Sequence, residues 1–377
     1  YENKKKHKSK NKETHYKNNF YNNQEYNDLS VDELISLIPQ MSIDEFKLEF
    51  PKVYEYIEKN IIHSKTGKYY VLSRDDSGCI IPRPYTMAEI RDVYIKYMEP
   101  PIRKFYETRY SLTFELTLDN TMGRFFTKNK ENYFNLFNGY KFNKYDPQDQ
   151  KVIDEQKDNV AYFWNHIKNI WCNGSEEQYK LLQHIIRKTI SGHKCYIGIY
   201  IKACQGLGKT VVMNIITNVL GENIVATETN DKAFTEQFNG HLIGKALIIL
   251  NEIKHNGDGL KCLYNSLKPY VTDDVLSYRS LYNNTLKFKN VSTIFMSSNH
   301  DMMAYDSDDR RWLILDPSDT VLDEAYYKPL WGFVKNEKFL RALFYDSINN
   351  YDSNMNELQE LKKIPLTKNK ISLLQKN

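Results

Sequence analysis

One stretch constrains this chain more than any other. The apolar run Tyr196–Ile201 leads into Ala203-Cys204-Gln205-Gly206-Leu207-Gly208-Lys209-Thr210 and then into a helical pattern, Thr210–Leu220. In a strand–loop–helix order, the loop's backbone N–H groups and the helix N-terminus converge on one point, where an anion is favoured. The whole segment from Ala203 to Thr210 is therefore a candidate cradle for nucleotide phosphates. Gly208 lets the backbone approach without a Cβ in the way, Lys209 reaches the β- and γ-phosphates, and the Thr210 hydroxyl binds Mg²⁺. The usual spacing, G-x-x-x-x-G-K-[ST], opens on glycine, and here Ala203 stands in that place. The turn at Ala203 must then be made without a positive φ, with Gly206 supplying the freedom.

Three more short apolar runs follow, Ala246–Leu250, Thr293–Met296 and Trp312–Leu315, separated by helices and loops. Alternation of this kind predicts an α/β fold with a parallel sheet and helices on its faces. The first run ends in Asn251-Glu252, 43 residues after Lys209 for Glu252. A carboxylate at the end of a buried strand can orient or deprotonate an attacking water and help hold Mg²⁺, so Glu252 is the candidate base and metal ligand. Asn251 occupies a position where many such enzymes have a second acid, and coordination there is expected through water. The next run ends in Ser297-Ser298-Asn299, and Asn299 can bond both a γ-phosphate and the attacking water. Arg310-Arg311 precedes the last run. This pair fits a structural ion-pair site, or an arginine finger projecting into a neighbouring subunit's nucleotide site, with Arg311 the preferred finger.

The order Gly206-Leu207-Gly208-Lys209-Thr210, Glu252, Ser298-Asn299, Arg310-Arg311 resembles the superfamily 3 helicases. Within them it is most similar to the poxvirus-like and virophage-, phage- and plasmid-type primase-helicases. Tyr133-Phe134-Asn135-Leu136-Phe137-Asn138-Gly139 looks like the F-N-x-[FW]-x-G segment before the ATPase core of that group. Phe238-Asn239-Gly240 and Tyr278-Arg279-Ser280-Leu281-Tyr282 look like its F-N and R-x-L-Y elements. The resemblance is specific over residues 130–316 and absent over 1–128 and 320–377. It implies a P-loop AAA+-type core, a hexameric ring around single-stranded or forked DNA, and ATP hydrolysis at subunit interfaces with 3′→5′ translocation. It also implies a primase or polymerase as a further partner, and an intracellular setting at the replication site of a virus or mobile element. The family's DNA-gripping hairpin falls between the acidic strand and the Asn299 strand. Here that segment carries Arg279, Tyr282, Asn283, Lys287 and Lys289, the charge and aromatic character that a mobile grip on phosphates and bases needs.

The rest of the chain organises around this core. Residues 1–28 hold most of the basic excess: seven Lys against Glu2 and Glu13 in the first twenty positions, leaving 45 basic and 46 acidic residues elsewhere. They read as a disordered basic tail, either simply solvated or adding a salt-sensitive grip on phosphate. Residues 29–150 read as a mixed, mainly helical N-terminal region with a small β-element near 64–85. Residues 151–192 form a helical collar, 193–320 the ATPase core and 321–377 a C-terminal helical segment. The five Cys form no CxxC pair, which speaks against a zinc site or a disulfide framework, and no apolar run approaches the ~18 residues of a membrane span. The chain begins at Tyr1 and shows no primase motif, so any primase is expected before that residue. Two other functions fit the same residues: an AAA+ motor acting on a protein partner, and a nucleotide-binding scaffold without hydrolysis, to which Ala203 and Asn251 point.

Overall fold

A computed structural model describes residues 43–64, 69–74, 80–90, 92, 113–119, 122–123, 125–137, 139–142, 149–202, 204–236, 238–253, 258–279, 285–300, 310–352 and 364–375. The basic segment 1–28, Ala203, Tyr282 and Asn283 lie outside them, so the expectations placed there have no structural counterpart. The chain divides into two compact units. One is built from the described residues within 1–75, 80–116 and 127–134, the other from those within 76–79, 117–126 and 135–377.

Among its described residues the first unit is richer in strand than in helix, against the expectation of a mainly helical N-terminal region. Helices α1 (Ile43–Glu49), α2 (Pro51–Asn60) and α3 (Met87–Ile90) accompany β1 (Ile61–Ser64), β2 (Tyr69–Arg74), β3 (Ile80–Tyr85), β4 (Thr113–Thr117), β5 (Phe125–Lys128) and β6 (Glu131–Asn135). The strands form one sheet in the order β3-β2-β1-β4-β6-β5. β1 runs antiparallel to β2 and parallel to β4. Each strand is only four to six residues long, too short for a periodic signal, and β1 finds β4 far along the chain. Tyr69, Tyr70, Val71 and Leu72 are all buried, so β2 lacks the alternation that marks a half-exposed strand.

In the second unit, β7 (Gly198–Lys202), β8 (Val225–Glu228), β9 (Leu247–Asn251), β12 (Thr293–Ser298) and β13 (Trp312–Leu315) form a parallel sheet in the order β13-β7-β12-β9-β8. Every pairing in it is parallel. β12 and β13 are buried along their whole length, the pattern of strands covered on both faces. β8 is the strand that the sequence reading did not find: Val225-Ala226-Thr227-Glu228 is four residues long and ends half-polar. A separate hairpin pairs β10 (Val275–Tyr278) with β11 (Leu286–Lys289).

Helices α4 (Asp149–His166), α5 (Glu176–Ile190), α6 (Lys209–Leu220), α7 (Lys232–Thr235), α8 (Asp258–Thr272), α9 (Glu324–Phe333), α10 (Glu337–Asn349) and α11 (Lys368–Gln375) complete this unit. The Ser175 hydroxyl accepts from the Gln178 N–H and caps the start of α5. α10 packs against α4, α5 and α6, so these helices make one layer. The Asp346 carboxylate stitches that layer by accepting from Trp164 Nε1 at 2.9 Å and Arg187 Nη2 at 3.1 Å.

Gly198 lies opposite Trp312 in the β7–β13 register. A Cβ there would come within 2.4 Å of the fully buried indole. Gly198→Ala should therefore destabilise the protein by about 1–3 kcal/mol through overpacking. Urea denaturation would show this as a lower midpoint at an unchanged slope.

Candidate functional site: a cleft at the ends of three parallel strands

Strand order positions the site. Because β12 lies between β7 and β9, their three C-terminal ends open side by side, where an open α/β sheet places a ligand. After β7 the chain turns through 204–208 into α6. Gly206 and Gly208 both have left-handed backbones, with φ of 90° and 69°. Gly208 is fixed twice, since a Cβ there would also come within 2.8 Å of His166 Nε2 and 3.0 Å of the Tyr327 ring. Lys209 is the first residue of α6, and its ammonium donates to Asn299 Oδ1 at 2.8 Å and to the Cys204 carbonyl at 3.4 Å.

Across from it, β9 ends at Asn251 and the next residue, Glu252, has a φ of 53°, unusual for a residue with a Cβ. The Glu252 N–H donates to the Ser297 carbonyl at 2.9 Å, and the Asn299 N–H donates to Glu252 Oε2 at 3.4 Å. A continuous path thus runs from Lys209 through Asn299 to Glu252. Half-burial draws the Lys209 ammonium below its ordinary pKa, and the Glu252 carboxylate pulls it back up.

These groups line a cleft of about 1160 Å³ that also receives Gln205, Thr210 and Asn251. Thr210, Asn251 and Glu252 all line this space and carry a hydroxyl, an amide oxygen and a carboxylate, hard oxygen donors suited to Mg²⁺. Among the described residues no cluster of three or more His, Cys, Asp and Glu makes a metal site of its own.

Two groups of sequence-predicted residues are elsewhere. Arg310 and Arg311 sit before β13, and the Arg311 carbonyl accepts from the Gly198 N–H at the start of β7. A five-residue strand spans about 13 Å, so the pair lies at the opposite end of the strands from the cleft. Lys287 and Lys289 flank the buried Phe288 on β11 and face solvent. Arg279 follows β10, and its guanidinium lies over the Phe238 ring, 5.8 Å from the centroid. Asn239 anchors this end of the hairpin: Oδ1 accepts from the Arg279 N–H at 2.8 Å, while the Arg279 carbonyl accepts from the Asn239 and Gly240 N–H groups.

The sequence reading missed the support beneath the loop. α4 ends in a π-helical turn, Ile167–Trp171, of the kind often found near functional sites. Trp171 Nε1 donates to the Leu207 carbonyl at 3.2 Å, and the fully buried His166 leaves no room for a Cβ at Gly208. His166 Nδ1 lies 3.2 Å from the Tyr326 hydroxyl on α9. A histidine at the end of an amphipathic helix gives no hint in sequence of the loop it will meet.

Residues 201–311 match the family described as "Family of unknown function (DUF5906)". No curated protein matches the chain. Among solved structures, an apo A form of the NrS-1 C-terminal region aligns with a TM-score of 0.58 at 13% identity, covering 86% of this chain and 74% of that one. Two further structures of that region align at TM-scores of 0.55 and 0.53, both at 14% identity, with the same coverage. At such identities the likeness is one of fold.

Burial pushes the His166 imidazole down to about 4, against an opposing pull from the Leu207 backbone. The unfolded chain would protonate this group near 6.5 while the folded protein resists it to about 4. Its linkage contribution is therefore absent at neutral pH and becomes destabilising as pH falls through that window. Between pH 7 and pH 4.5 the loss is roughly 2 kcal/mol. His166→Gln should flatten the pH dependence of the urea midpoint by that amount over the same range. An unchanged slope would show that His166 protonates freely in the native state.

Proposed function

We propose that this chain is an ATP-hydrolysing motor of the superfamily 3 helicase, AAA+-type class. It would act as a ring, expected to be hexameric, on single-stranded and forked DNA in the replication of a virus or mobile element. The observation that carries the proposal is the placement of Lys209, Asn299 and Glu252 around one cleft by the insertion of β12 between β7 and β9.

Each residue then has a task. The N–H groups of the 204–208 loop and of the first turn of α6 face the phosphates, and Lys209 neutralises the β- and γ-oxygens. Thr210 and Glu252 would hold Mg²⁺ directly and Asn251 through water; the ion, when bound, neutralises charge that builds on the bridging oxygens. Glu252 takes the proton of the attacking water. Asn299 is tied to both Lys209 and Glu252, so it is placed to report whether the γ-phosphate is attached.

Arg310 and Arg311 cannot serve the cleft of their own chain from the far end of the strands. In a ring they would serve a neighbour's, which is where an arginine finger acts. The β10–β11 hairpin presents Lys287 and Lys289 to solvent with Arg279 at its anchored end, a suitable grip on a phosphate backbone. It favours a nucleic-acid track over a protein one.

Lys209→Ala should abolish ATP turnover, and surviving turnover would disprove the loop assignment. Glu252→Gln should retain ATP binding while lowering the hydrolysis rate by about 10²–10⁴-fold, the usual worth of a general base. Equal rates in steady-state assays would exclude Glu252 from that role. Replacing both Lys287 and Lys289 by Ala should weaken binding to single-stranded DNA. It should also reduce the slope of log K against log salt by about 1.4. No change in that slope would turn the hairpin into a simple solvated element and favour a protein substrate.

A further inference from the structure

The cleft is far larger than its phosphate end needs, and its remaining wall comes from a segment outside the family resemblance. Glu324, Tyr327, Lys328 and Trp331 of α9 all line it. Their spacing of three, four and seven places them on one helical face. Opposite, α6 contributes Thr210, Met213, Asn214 and Thr217 at the same spacing. α6 and α9 pack against each other, so the two faces form a trough leading away from the N-terminus of α6. From Thr210 to Thr217 it runs about 10 Å, long enough for a ribose and a base end to end.

One side chain in this trough stands out physically. Trp164, Trp171 and Trp312 are 5%, 0% and 0% exposed, whereas Trp331 is 53% exposed. It does not hold α9 in place, because Leu330 and Phe333 of the same helix are buried and do that. An indole face left open inside a polar-ended cleft is a surface for another flat ring. The loop bears on this wall directly: a Cβ at Gly206 would come within 2.8 Å of Val321 Cγ1, just ahead of α9. Phosphate cradle and aromatic wall are therefore consecutive parts of one binding surface.

We infer that the α9 face is the nucleoside wall of the cleft, with the Trp331 indole stacking on the base of a bound nucleoside triphosphate. The inference rests on the proposed triphosphatase site and adds the residue that grips the organic half of the substrate. Stacking tolerates any base, because every base has a π-face, so Trp331 contributes affinity and does not select the base.

The test uses the full chain and two probes, ATP and inorganic triphosphate, each titrated by calorimetry. Trp331→Ala should weaken ATP binding roughly ten- to a hundredfold, the range expected for one aromatic stack, and leave inorganic triphosphate binding unchanged. Trp331→Phe should recover much of the ATP affinity. Wild type should show nucleotide-dependent quenching of fluorescence and Trp331→Phe should lose it, separating Trp331 from Trp171 beneath the loop. A thermal melt matching wild type would establish that the variants fold. Unchanged ATP affinity in Trp331→Ala, with Lys209→Ala still abolishing binding of both probes, overturns the inference and spares the phosphate site. If Lys209→Ala leaves the binding of both probes intact, the phosphate site falls and the nucleoside wall with it. Loss of assembly in Trp331→Ala at unchanged ATP affinity also overturns it, since the indole would then be docking on a second copy of the chain.

Discussion

The position of β12 is the constraint on which the second unit turns. It is buried along its length and hydrogen-bonded to β7 on one side and β9 on the other, so neither its register nor its direction can drift. Ser297 pairs with Asn251, and Ser298 with Lys202. That register fixes how far Asn299 stands from the end of each neighbour. The Lys209–Asn299 bond and the Asn299–Glu252 contact follow from the sheet and not from any flexible loop. Precise placement at modest entropic cost is what strand ends offer to a polar site.

A second layer steadies the loop from behind. His166, the π-helical turn and Trp171 belong to the end of α4 and its continuation, whereas Tyr326 and Tyr327 belong to α9; Trp171, His166 and Tyr327 surround Leu207 and Gly208, and Tyr326 meets His166 behind them. The Ile170 carbonyl accepts from the Ser318 N–H, which ties the π turn to the loop that leads from β13 towards α9. α4 and α9 therefore share a mechanical connection at the loop. A shift of either helix relative to the sheet would be felt by the backbone groups that face the cleft.

Legibility in sequence tracked the range of the interactions. β7, β9, β12, β13 and α6 announce themselves through local apolar runs, and their observed bounds lie within a residue or two of the expected ones. Glu252, Asn299 and the residues from Gln205 to Thr210 come together because each ends or follows one of those runs. β8 escaped because four residues with one polar end carry no period. In the sheet of the first unit, β2 and β3 fall within the β-element expected near 64–85, whereas β4, β5 and β6 escaped because such short strands depend on distant partners. His166, Trp171 and the α9 face were silent for a related reason: each is an unremarkable helical residue until tertiary packing places it beside the loop. The Arg310-Arg311 pair was visible as a motif, but only the direction of β13 showed that it belongs to the other end of the strands.

The backbone of Glu252 has one more consequence. A residue with a Cβ at φ 53° stores strain that glycine or asparagine would release, and it is held there by the Ser297 carbonyl. Selection for thermal robustness alone, with no demand on turnover, would drift toward Gly or Asn at this position. On the role proposed for Glu252, stability and chemistry would pull this codon in opposite directions, so a glutamate retained there across a lineage would be a record of sustained use of the cleft.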